Sequence, residues 1–150
     1  MKFFTIEWWC GLQKFGDYDP SPEYQRHIAT IRERLPKGLL ALQESISIHD
    51  ANLRLLEYDR QGNTLTLKLD SDDGAGGLRQ FVMRYVDVTL FRTLSDPELG
   101  LPGPHGYGDL GYHEADITAD DNFEHRLLFS TGIEFQIVFR DFELDWQDVK

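Results

Sequence analysis

The stretch TLTLKLD, residues 64–70, decides the fold. Leu65, Leu67 and Leu69 alternate with Thr64, Thr66 and Lys68, and a period of two marks a strand with one wet face. RQGN, residues 60–63, turns the chain back onto ANLRLLEY, so residues 51–69 read as a hairpin. Beyond it, SDDGAGG (71–77) is a loop and LRQFVMRYVDVTLF (78–91) a long strand with Val82, Val86, Val88 and Leu90 on one side. DPELGLPGPHGYGDLG, residues 96–111, is rich in Gly and Pro and has no period, which reads as a loop. YHEADI (112–117), FEHRLLFS (123–130) and IEFQIVF (133–139) are three more strands, the last two joined around Thr131-Gly132. Ile133, Phe135, Ile137 and Phe139 share a face; the apolar positions then move to Phe142, Leu144 and Trp146, as a bulge near Asp141 requires.

Before residue 50 the period is that of a helix. Thr5 is placed to cap a short helix, IEWWCGLQKF. In the next segment Ser21 is the expected cap, with Pro22 and Glu23 suited to a first turn. Tyr24, His27, Ile28, Ile31 and Leu35 then form one apolar stripe, ended by Pro36 and Gly38. LLALQES (39–45) is a second short helical piece. Helices first and closely spaced strands afterwards predict a single α+β domain over residues 1–150, helical in 1–46 and antiparallel sheet in 47–146. The expected sheet is a meander of about six strands with the helices on one face. Leu65, Leu67, Phe135, Ile137 and Phe139 are its expected core.

Composition narrows the function. The formal charge is -11, and the 15 basic residues form no cluster. From Asp109 to Glu124 there are six acids and neither Lys nor Arg. A nucleic-acid binder needs a basic stripe, so no nucleic acid is expected as a ligand. An acidic field can instead steer a basic protein, which admits one as a partner; the alternative is that the acids only keep the chain soluble. No apolar run approaches the roughly 20 residues that cross a bilayer, the start MKFFTIEWWC lacks a cleavage-site pattern, and Cys10 is the single cysteine. These features predict a soluble cytoplasmic protein.

Motifs that carry chemistry fail on their neighbours. GYGDLG (106–111) matches Gly-x-Gly-x-x-Gly, but PGPH precedes it and a strand follows, so the helix end that would hold a pyrophosphate is missing. DSDDGAGG, from Asp70, has Gly74 at the fifth position and Phe81 at the twelfth, unlike an EF-hand loop. HEADI lacks the second histidine of a zinc motif, and His125 alternates with apolar neighbours on the core face. Cys10 lies among Trp8, Trp9 and Leu12 with no cation beside it, which suits a buried structural thiol. In SISIHDANL (45–53), adjacent strand residues point to opposite faces, so His49-Asp50 reads as a hinge between helix and strand. No cofactor and no metal site is expected.

Several segments together resemble an uncharacterised bacterial family. They are FFTIEWW at 3–9, SIHDANL at 47–53 with Ile48 where the family has Leu, GYHEADI at 111–117 and FEHRLLF at 123–129. The loop GLPGPHGYGDLG is longer than the family's connection. Small acidic α+β proteins of this kind are similar to the immunity proteins of bacterial toxin systems. The resemblance implies a non-enzymatic protein-binding module that neutralises a basic partner through an acidic face, supplied here by Asp70, Asp72, Asp73, Asp116, Asp120 and Asp121. The alternatives are an enzyme or metal-binding protein using His49, Glu114 and His125 across neighbouring strands, and a structural protein.

Overall fold

The computed structural model describes residues 1–11, 18–72, 74–94 and 106–149. The expected end of the first helix (residues 12–15), Asp73 and most of the loop 96–111 lie outside the described residues. The first helix, α1 (Ile6–Gly11), begins as expected, with Thr5 Oγ1 accepting from Trp8 N–H at 3.2 Å. The helix α2 (Ser21–Ile31) is followed by a 3-10 turn, Arg32–Arg34. Its cap differs from expectation: Ser21 is already helical, and the Asp19 carboxylate accepts the Ser21 N–H at 2.9 Å. Leu35, preceding Pro36, is extended (φ -68, ψ 142), since the proline ring crowds a helical residue before it. Of the predicted stripe, Tyr24, Ile28, Ile31 and Leu35 are buried and His27 is half-buried. The last helix, α3 (Lys37–Glu44), buries Leu39 and Leu42.

Among the described residues eight strands follow: β1 (Asn52–Asp59), β2 (Thr64–Asp72), β3 (Leu78–Val86), β4 (Leu90–Leu94), β5 (Leu110–Ile117), β6 (Phe123–Phe129), β7 (Glu134–Phe139) and β8 (Asp141–Val149). The fold is α+β and its sheets are antiparallel, as expected, but the single six-stranded meander is not. There are two four-stranded sheets, β1-β2-β3-β8 and β4-β7-β6-β5. The six predicted segments become eight strands because two of them turn a corner. Residues 78–94 and 134–149 pair along their lengths, and both pass from one sheet to the other.

The corner has a visible cause. Val86 pairs with Asp141 and Leu90 with Val138, so three residues (87–89) face two (139 and 140). The extra residue of this bulge lies on the side of Asp87, in the left-handed region at φ 53, and the expected bulge at Asp141 is on the opposite strand. The bulge also flips the side-chain alternation. Phe81, Met83 and Tyr85 face the core before it and Val88 after it, whereas Val82 and Val86 point outward. Folding the ribbon lets Leu65, Leu67 and Leu69 of one sheet meet Phe135, Ile137 and Phe139 of the other, all 0% exposed. One flat sheet under three short helices would leave much of that surface wet.

The helices therefore do not cover one broad face. α3 packs on β8 and β5, and α2 on β5, closing the gap between an edge strand of each sheet. Gly38 makes this close: a Cβ there would sit 2.9 Å from Leu144 Cβ. Beyond the helices cover fades, and Trp146 is 48% exposed. At the other gap Asn52 bridges Asp109, Asp50 N–H donates to Leu110 O, and Leu110 N–H donates to Ala51 O, both at 2.8 Å. Among the described residues no helix is long and apolar enough to cross a membrane.

Candidate functional site

A cleft of about 430 Å³ opens between the end of α3, the segment Ile46–His49 that leaves it, and the start of β5. Its aromatic wall is Tyr112, stacked on Phe4 with centroids 5.0 Å apart and met edge-on by Trp8, Trp9 and His49. This wall depends on Gly111, where any Cβ would overlap the Trp9 ring. The polar lining is Gln43, Glu44, Ser45, Ser47, His49 and His113.

At the cleft floor a hydrogen-bond chain runs into the core. Tyr85 Oη lies 2.8 Å from His125 Nδ1, His125 Nε2 lies 3.2 Å from His113 Nδ1, and Gln43 Nε2 lies 3.2 Å from that same Nδ1. Tyr24 O–H donates to Gln43 Oε1 at 2.5 Å and accepts Ala115 N–H at 2.7 Å. With Tyr24 O–H donating to Gln43 Oε1, the Gln43 amide nitrogen faces His113. The Gln43 amide nitrogen can only donate, and it sets the direction of the bond to His113. His113 Nδ1 consequently accepts, from Gln43 and from His125 Nε2–H, and Tyr85 O–H donates to His125 Nδ1. Both imidazoles are neutral, and the His113 proton is on Nε2.

Burial enforces the same state. Desolvation, followed by repulsion from nearby His49, pulls the His113 imidazole down to about 4. His125 is 0% exposed and held well below its ordinary range by burial and by His113. Burial pushes the Tyr85 and Tyr24 phenols up. His113 itself is half-buried, with one edge in the chain, and its Nε2 has no partner among the described residues. His113 was the residue missed from sequence. The signal was there in the hairpin register: His113 pairs with Leu127 and Ala115 with His125, which makes the two histidines diagonal neighbours on one face.

The catalytic alternative is scattered by the fold. His49 is exposed at the cleft rim, His125 is sealed behind His113, and Glu114 is buried elsewhere. The Glu114 carboxylate accepts the backbone N–H groups of Lys2, Phe3 and Phe4, each at 2.7 Å, and so staples the first residues to β5. His49-Asp50 is a turn, as expected of a hinge, but the argument from strand alternation fails. Asp50 has φ 61, and its Oδ1 lies 2.9 Å from His49 Nδ1, so the two side chains meet. Cys10 is exposed, not the buried thiol expected. Among the described residues no group of three or more His, Cys, Asp or Glu is arranged to hold a metal.

The predicted acids fall in two places. Asp70 pairs with Arg54 Nε at 2.8 Å and accepts from Gln80, while Asp72 accepts Gly74 N–H at 2.6 Å. Asp116 pairs with Lys2 and lies 3.2 Å from His27 Nε2; Asp121 pairs with Arg34, and Asp120 is exposed on the β5–β6 turn. Asp73 lies outside the described residues. Asp70 is opposite Asn52, which bridges Asp109 at the start of β5. Asp116 is seven residues farther along that strand, about 23 Å away at strand rise. The fold brings Asp116, Asp120 and Asp121 together and keeps them apart from Asp70 and Asp72.

No protein family and no curated protein matches this chain.

Proposed function

We propose that the chain is a non-enzymatic protein-binding module that takes a basic partner on the outer face of its first sheet. The composition of that face carries the reading. Strand register sets Leu55, Lys68, Val82 and Asp145 in one row, Glu57, Thr66, Arg84 and Glu143 in the next, and Asp59, Thr64, Val86 and Asp141 in a third. With Asp70 and Asp72 the described residues of the face hold seven carboxylates against three cations, Arg54, Lys68 and Arg84, a balance of -4. Leu78 and Val149 are exposed at its end, and Val82 and Val86 are half-buried along its middle. Apolar residues interspersed among a net excess of carboxylates suit a basic partner with some apolar surface of its own. α3 meets β8 from the inner side, at Leu144, and leaves these rows open.

Two further observations support binding over catalysis. Glu114 is consumed by three backbone donors, and His113 and His125 are held neutral in a chain with fixed directions. The most concrete form of the reading is immunity-like, with the acidic face covering a basic toxin domain; this rests on analogy of size, charge and fold class. Affinity capture from the native cell, with mass spectrometry of what is retained, tests it. A basic protein released by moderate salt is the expected result. An acidic partner, or one whose retention ignores salt, would overturn the reading.

A further inference from the structure

The geometry points to the cleft between α3 and β5 as a binding site for an uncharged, planar small molecule that presents a hydrogen-bond acceptor to His113 Nε2–H. The site is independent of the acidic outer face and uses none of its residues. Its volume of about 430 Å³ lies within the range of small-ligand pockets. Its lining suits a flat ring: Phe4, Tyr24 and Tyr112 supply aromatic surface, and Leu42, Ile46 and Ile48 supply aliphatic surface.

The polar chemistry selects the class. Both contacts of the His113 ring use Nδ1, with the Gln43 amide donating to it, which leaves Nε2–H without a partner among the described residues on a ring that lines the cleft. A ligand acceptor placed there gains a bond to a group already oriented, so little ordering is lost on binding. Anions are disfavoured. Among the described lining residues there is no Lys or Arg, Glu44 lines the cleft, and Asp50 adjoins it through His49. Cations are disfavoured at the floor, because a fixed N–H dipole repels them. A neutral carbonyl or ring nitrogen remains. Ser45 and Ser47, exposed in the same lining, can meet a donor on the same ligand, as an amide or a lactam offers.

The test uses three probes of one shape: benzamide, benzoate and benzylamine. Imidazole nitrogen spectra and Tyr112 ring signals of the full chain are followed during titration at millimolar concentration. Benzamide should move the His113 Nε2 resonance and the Tyr112 ring, at least about tenfold more tightly than the charged probes. Ser47→Trp, which fills the cleft and leaves the histidine chain intact, should abolish the response. Three outcomes overturn the proposal: no response to benzamide, a benzoate or benzylamine response of equal strength, or benzamide binding that persists in Ser47→Trp. A protonated His113 Nδ1 in the free protein would remove its basis directly.

Discussion

Tyr85 Oη sits 2.8 Å from His125 Nδ1, both side chains fully buried, and this contact closes the inner end of the chain that begins at the Ala115 amide. The nearest alternative for the hydroxyl is Met83 Sδ at 3.9 Å, a weak acceptor. Tyr85→Phe preserves the ring packing against Phe139 and Phe142 but strands His125 Nδ1 without a donor. Leaving a buried acceptor unpaired costs about 1–3 kcal/mol. Denaturant unfolding should show that loss with an unchanged m-value. An unaltered midpoint would mean that the contact contributes nothing.

The same chain predicts how stability follows pH. His113 is drawn down to about 4 in the folded state and titrates near 6.5 when unfolded. Its neutral form is therefore favoured by folding. The associated stability is complete above pH 6.5 and is lost as pH falls from 6.5 through about 4. For His113 alone the loss approaches about 3 kcal/mol, and His125 acts in the same direction. Asp19, Glu44, Asp116 and Asp148 are held below their ordinary range by partners, so their losses come at lower pH still. Urea midpoints taken between pH 7.5 and pH 4.5 should fall steadily. A flat profile across that window would contradict the buried neutral pair.

In the sequence Gly111 is the last glycine of a dinucleotide-like pattern; in the fold its role lies in packing. A Cβ at this position would overlap the outer end of the half-buried Trp9 ring, which would have to move. Gly111→Ala should displace α1 and loosen the Tyr112 wall. We expect destabilisation of about 1–3 kcal/mol, as for an overpacked core, with a shift in tryptophan fluorescence. If fluorescence and stability both match the native protein, Trp9 does not rest on β5.

The strands were legible because their alternation is strict: TLTLKLD and IEFQIVF each have one apolar face, and both faces are buried. What alternation cannot give is how two apolar faces meet. That depended on one residue, Asp87, whose left-handed backbone inserts the bulge that turns the ribbon and divides one expected sheet into two. Asp is tolerated there because a short polar side chain costs less in that region than a branched one. The core follows: Phe139, expected to be buried, is 0% exposed against Tyr85 and Phe142. Phe139→Ala should cost about 3–5 kcal/mol through the cavity left between the sheets, read as a lowered denaturant midpoint. The cleft was less legible, since His113 reaches His125 only once the β5–β6 register is set.

Charge reversal separates the two acidic groups. Glu57→Lys, Asp141→Lys and Asp145→Lys together move the outer face of the first sheet from a balance of -4 to +2, two charges per substitution. Asp120→Lys and Asp121→Lys alter the β5–β6 turn on the other sheet by four charges. Exposed charges contribute under about 1 kcal/mol each, so both variants should fold with near-native stability. Steering supplies roughly 10–10³ in association rate. With the captured basic partner, the outer-face variant should associate about tenfold more slowly at low salt, and the difference should shrink as salt screens the field. The turn variant should have a smaller effect, because Asp121 is already paired with Arg34 and the turn lies off the docking face. If the turn variant slows association more than the outer-face variant, the docking surface is the β5–β6 hairpin. If neither changes the rate, the acidic surface serves solubility alone.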